Sequence, residues 1–238
     1  MIKNDITLTK RPSEKRGHTQ IAWLNSRHSF SFGEYWDPDN VGFRSLRVIN
    51  EDKVAPGQGF GTHPHRSMEI LSYVIDGELE HKNSLGNGRV IKGGEFQYMS
   101  AGSGVLHSEF NPQADKSAHF LQIWITPREQ GGEPRYRDFD TAERRVENGL
   151  FLLASPDGEN DSAEIRQDAQ IFFGDLRNGN SLAVPEDARF PYAWIQVIKG
   201  DIQIGEHVLT DGDGGAVEAT AFDIAASRDA EFILFRLS

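Results

Sequence analysis

Short runs rich in Val, Ile, Leu, Phe and Trp recur along the whole chain, each closed by Gly, Asn, Asp or Pro, and this punctuation restricts the fold more than any other feature. Leu46-Arg-Val-Ile49, Ile70 to Ile75, Phe120 to Ile125, Trp194 to Ile198 and Phe232 to Leu237 are each of strand length. Runs of that kind, separated by turn residues, predict an all-β sandwich or barrel. Long helical periodicity is missing. The charged stretch Asp138 to Asn148, after the breaker Gly131-Gly-Glu-Pro134, predicts one short helix in a linker.

An internal repeat divides the chain. Tyr73-Val-Ile-Asp-Gly-Glu-Leu-Glu80 aligns without gaps to Gln196-Val-Ile-Lys-Gly-Asp-Ile-Gln203. A Gly-rich turn follows each copy, Lys92-Gly-Gly-Glu95 and Asp211-Gly-Asp-Gly-Gly215. The pattern predicts a duplicated antiparallel β-barrel, with domains over 1–130 and 149–238 and a linker over 131–148. Trp194, Ile198 and Phe232 are expected in the core of the second.

The partner classes follow from charge and composition. A formal charge of −11 repels phosphate backbones, which excludes direct nucleic-acid binding as an expectation. No run approaches the roughly 20 apolar residues that span a membrane, and Met1-Ile-Lys-Asn-Asp-Ile6 lacks the apolar core of a signal peptide. A soluble cytoplasmic protein is expected, with a monomer preferred. There is no cysteine, hence neither a disulfide framework nor a thiolate ligand.

The chemistry concentrates in the first half. His63 and His65 lie in Gly61-Thr-His-Pro-His-Arg-Ser-Met-Glu69, just before a strand-like run. Residues two apart in extended chain face the same way, so both imidazoles can reach one point. Pro64 disfavours helix at His63. A second same-face pair, His107 and Glu109, follows the turn Ser100-Ala-Gly-Ser-Gly104. His63, His65, His107 and Glu109 together suit one divalent transition metal, with Fe(II) favoured and Mn, Ni, Cu, Zn and Co admissible. A closed structural zinc site would more often use cysteine.

These segments resemble the cupins. Gly57, His63-Pro-His65 and Glu69 reproduce the first cupin motif, and Gly94 to Asn111 is similar to the second, with a longer spacing from Gly102 to His107. More specifically, Phe30-Ser-Phe-Gly-Glu-Tyr-Trp-Asp-Pro38, Phe43-Arg-Ser-Leu-Arg-Val-Ile-Asn50, Gly61-Thr-His-Pro-His65 and Ser100-Ala-Gly-Ser-Gly-Val-Leu-His-Ser-Glu109 resemble the pirin family. Leu153-Ala-Ser-Pro-Asp-Gly158 and Trp194 to Gly200 extend the likeness into the second half.

That resemblance implies a bicupin whose first barrel alone holds the metal, through His63, His65, His107 and Glu109. Many cupins would take the carboxylate from Glu69, which becomes the alternative ligand or a residue behind the ligands. In the second half the repeat aligns Glu186 and Ala188 with the two histidines. The bacterial pirin-like quercetin 2,3-dioxygenases imply a metal-dependent dioxygenase opening a flavonol with O2 and loss of carbon monoxide, Glu109 being the natural base. Alternatives are a redox-sensing regulator that binds a protein partner, and an enzyme for another small enol or phenol. Trp23, His28, Phe30 and Phe32 are candidates for the pocket rim. His81 and His119 are expected as surface or core histidines, and Arg66 as a surface residue.

Overall fold

A computed structural model describes residues 6–140, 144–219 and 221–238. Two compact units emerge, Gly17–Glu143 and a second made of Met1–Arg16 with Arg144–Ser238. Among the described residues there is no α-helix, and so none long and apolar enough to cross a membrane.

Each unit has a seven-stranded and a four-stranded sheet. In the first, the large sheet runs Arg135–Asp140, Glu95–Ser100, Glu69–Asp76, Ala118–Ile125, Leu46–Val54, Leu24–His28 and Gly17–Gln20. In the second it runs Thr7–Arg11, Gly214–Glu218, Tyr192–Lys199, Ala230–Leu237, Ala169–Leu176, Gly149–Ser155 and Ala163–Glu164. The repeated sequence occupies the same place in both orders, as Glu69–Asp76 and Tyr192–Lys199. Alternation along each strand turns one face inward. Phe232, Leu234, Ile195 and Val197 bury themselves in the second unit, and Trp194 is buried too. Ile198 is only half-buried, because a register shift between Val197 and Lys199 breaks the alternation there.

Two segments differ from the sequence expectation. Arg135–Asp140 is a strand, paired residue for residue with Glu95–Ser100, where a helix was expected from Asp138 onward. Residues 141–143 of that stretch lie outside the described residues, and 145–148 run as coil and turn. An open sheet edge offers backbone partners that local propensity does not register. The second segment is the N-terminus. Thr7–Arg11 pairs with Gly214–Glu218, so residues up to Arg16 belong with the second unit and not with 17–130.

Asp213 fastens that N-terminal segment. Its carboxylate accepts hydrogen bonds from Ser13 N (2.7 Å), Thr210 N (2.8 Å) and Thr210 Oγ1 (3.0 Å), and pairs with Lys10 Nζ at 2.7 Å. Burial opposes its charge, but the Lys10, Thr210 and Ser13 donors outweigh burial and hold its pKa below the ordinary 3.8. A depressed carboxylate stabilises the fold above the unfolded pKa and loses that contribution as pH falls through the folded one. Asp213→Ala should therefore cost about 2–3 kcal/mol at pH 7 in urea unfolding. The gap between variant and wild type should narrow below about pH 4; an equal gap at pH 7 and pH 3 would contradict the assignment.

Candidate metal centre

The site is built on the antiparallel pair Gly59–His65 and Val105–Phe110, in a register that sets His63 directly opposite His107 and His65 opposite Val105. The pairing slips between His107 and Glu109, so that Glu109 faces Phe60. The predicted alternation holds. The imidazoles of His63, His65 and His107 converge, with ring centroids 4.4, 4.7 and 4.8 Å apart, and their ligand atoms lie within 4.8 Å of one another.

Hydrogen bonds fix which nitrogen faces inward. The Nδ1 of His63 lies 2.8 Å from the Gly61 carbonyl. That oxygen can only accept, so Nδ1 carries the proton of neutral His63 and Nε2 is a bare lone pair. The His107 Nε2 lies 2.9 Å from it. The Nε2 of His65 is buried without a partner. Burial, then the charges of His107 and His63, push His65 down to about 3; burial, then His63, push His107 down to about 3. Both are neutral at pH 7, the form that ligates metal.

These residues fit an ion. Two imidazole nitrogens held at about 2.0–2.1 Å from one metal at right angles stand about 2.9 Å apart, the separation found between His63 and His107. The buried Nε2 of His65, which has no hydrogen-bond partner, is available as a third donor.

Glu109 is buried and lines the same cavity as His63 and His65, but its carboxylate stands outside the group that the three imidazoles form. Gln122 Nε2 donates to both of its oxygens, at 3.0 and 2.8 Å, and Ser72 Oγ donates to one at 3.3 Å. Trp124 Nε1 donates to Gln122 Oε1 at 3.0 Å and so fixes which way the amide points. The Trp124 ring also meets His65 edge-on, centroids 4.9 Å apart.

His63, His65 and Glu109 line a cavity of about 240 Å³. Its apolar walls are Leu24, Phe32, Phe60 and Trp124, and its polar ones Asn50, Asp52 and Gln122. Of the rim candidates, Phe32 lines it. Trp23 packs edge-on behind Phe60 at 5.2 Å, while Phe30 is buried core. His28 hydrogen-bonds Asn50 at 2.7 Å and Thr19 at 2.9 Å. Glu69 is placed elsewhere: its carboxylate takes the hydroxyls of Tyr98 and Ser100, and it does not line this cavity. Arg66 is exposed, and His119 is half-buried against Glu51 at 2.9 Å.

Sequence reasoning missed Asn50, Asp52, Gln122 and Trp124, although a signal exists. Ser72, Gln122, Asn50 and His28 are cross-strand partners in one row over four adjacent strands. Polar residues at inward positions of otherwise apolar strands mark a wall that meets something other than a core.

Two barrels of one strand order, one of them carrying a histidine cluster on its four-stranded sheet, define a bicupin. Residues 9–125 match the Pirin family, and residues 152–237 match the quercetinase C-terminal cupin domain. The quercetin 2,3-dioxygenase of Escherichia coli (strain K12) is 44% identical over 230 residues, covering 95% of this chain and 97% of that one. The crystal structure of YhhW from Escherichia coli is 42% identical with a TM-score of 0.92, covering 98% of each chain. The bacterial pirin YhhW in complex with nickel(II), also from Escherichia coli, is 41% identical with a TM-score of 0.92, over 97% of this chain and 99% of that one. The chain belongs to the pirin family.

Replacing Gln122 by Leu keeps the volume but strips Glu109 of its amide donor, leaving a buried carboxylate on Ser72 alone. Urea unfolding should show a loss of about 3 kcal/mol; a change under about 0.5 kcal/mol, the size of a surface substitution, would mean that the amide does not support the carboxylate.

Proposed function

We propose that His63, His65, His107 and Glu109 hold one divalent transition metal and that the protein is a cytoplasmic dioxygenase opening a quercetin-type flavonol with O2. Two ring carbon–carbon bonds break, both oxygen atoms enter the products, and one carbon leaves as carbon monoxide. The observation that carries the metal reading is the meeting of three inward-facing imidazoles, two of them held neutral by burial, with the buried Glu109 carboxylate on the wall of the cavity that His63 and His65 line. The relatives named quercetin 2,3-dioxygenase, at up to 44% identity over nearly the full chain, supply the substrate class.

The donor set is nitrogen and oxygen without sulfur, which suits iron, nickel, manganese, cobalt, copper or zinc. We favour Fe(II), and the nickel(II) complex of YhhW makes nickel the next to test. When bound, the metal would act as a Lewis acid that makes a phenolic hydroxyl easier to deprotonate.

The chain's own residues do the rest. Leu24, Phe32, Phe60 and Trp124 offer apolar faces to a flat aromatic ligand and keep water from it. Asn50 and Asp52 present polar groups at the wall to hydroxyl substituents. Glu109 accepts the proton of the reacting hydroxyl, the natural role for a carboxylate at the cavity wall. Gln122, locked by Trp124, keeps that carboxylate aimed.

Iron-loaded protein given quercetin in air should consume the flavonol and release carbon monoxide. His63→Ala should lose bound metal and at least about 100-fold of the rate, as loss of a ligand exceeds loss of an outer partner. Full iron occupancy without flavonol loss would overturn the dioxygenase reading and leave the metal reading standing.

A further inference from the structure

His81 was expected as an ordinary surface or core histidine, yet it sits behind the cluster. It lies on Glu78–Asn83, the strand that flanks Val105–Phe110 on the side away from His63 and His65, opposite Glu109 in the register. The side chain is fully buried, and its Nε2 is 2.9 Å from Nδ1 of His107. Tyr136 stacks on its ring, centroids 5.4 Å apart at 23°. The Tyr136 hydroxyl donates to Asp138, which Arg89 holds at 3.1 Å. The imidazole therefore has little freedom to turn.

The nitrogen of His107 that faces His63 is Nε2. If it gives its lone pair to a metal, the single proton of neutral His107 must sit on Nδ1 and needs an acceptor. His81 Nε2 is the atom in reach, so it must be bare, and the proton of His81 must sit on its own Nδ1. That Nδ1 is buried with no hydrogen-bond partner. Ligand histidines usually donate to a carboxylate, a backbone carbonyl or water; here a neutral imidazole takes that place.

We propose that His81 is the positioning residue of the metal centre: it accepts the Nδ1 proton of His107 and thereby presents the His107 Nε2 lone pair to the ion. The inference rests on the metal reading of the cluster. It also makes a chemical distinction. Any side chain that places an acceptor where Nε2 lies should serve, whereas one that only fills the space should not.

Zinc affinity, measured by competition with a chromophoric chelator, tests this on wild type, His81→Gln and His81→Phe, with circular dichroism to confirm folding. The Gln oxygen reaches the Nε2 position, and Phe keeps the stack on Tyr136. His81→Phe should weaken zinc binding about 10- to 100-fold while His81→Gln stays within about threefold of wild type, the range typical for outer partners of a ligand. Nitrogen-15 spectra of zinc-loaded wild type should show protons on Nδ1 of both His107 and His81. Equal weakening in both variants, no weakening in His81→Phe, or a proton on His81 Nε2 in the zinc form would each overturn the proposal. A wild type that binds no zinc would instead overturn the metal reading beneath it.

Discussion

The register between Gly59–His65 and Val105–Phe110 governs the site, because side chains on paired strands have no freedom to choose their neighbours once the ladder is set. With His63 opposite His107, their ring nitrogens meet at 2.9 Å. His65, two residues along, points the same way and closes the triangle. A slip of one residue would turn the whole histidine set to the other face of the sheet. The shift after His107 then sets Glu109 opposite Phe60, on the wall of the same cavity.

Among the described residues the histidine cluster lies in the first barrel, and the inward rows of the two barrels differ accordingly. Ser72, Gln122 and Asn50 form a polar inward row in the first unit. The repeat aligns Ile195 with Ser72, and the same ladder positions in the second unit read Ile195, Leu234 and Phe172. All three are apolar: Ile195 and Leu234 are packed in its core, and Phe172, half-buried, packs against it. The strand order is conserved between the copies while the inward residues differ, which is what physics allows. Backbone pairing fixes the scaffold, and the inward row decides whether the interior is a core or a cavity. In each unit the outermost strand next to the Gly-turn strand comes from outside the repeat, Arg135–Asp140 in one and Thr7–Arg11 in the other.

What was legible in the sequence follows the range of the interactions involved. The period-two spacing of His63 with His65 and of His107 with Glu109 is local, so it could be read directly, as could the strand runs and the repeat. The roles of Gln122, Trp124 and His81 depend on partners far along the chain, on strands whose pairing no short window reveals. His81 is set apart from a plain core histidine by its bond to His107. The strand at Arg135–Asp140 was hidden for the same reason, since its partner Glu95–Ser100 lies well before it. Glu69 misleads in the opposite direction: alternation places it in line with His65, yet the hydroxyls of Tyr98 and Ser100 claim its carboxylate.

The imidazoles of the cluster are oriented by three different devices, and none brings a charge. A backbone carbonyl holds His63, another imidazole meets His107, and the edge of Trp124 packs on His65. The donors to Glu109, Gln122 and Ser72, are also neutral. A divalent ion entering this cluster would meet one carboxylate among its proposed ligands, and Asp52 adds a second to the wall of the same cavity. In an interior of low effective dielectric both would attract the ion strongly. The supports behind the donors are neutral, so the compensating charge sits among the proposed ligands and on the cavity wall, not behind them.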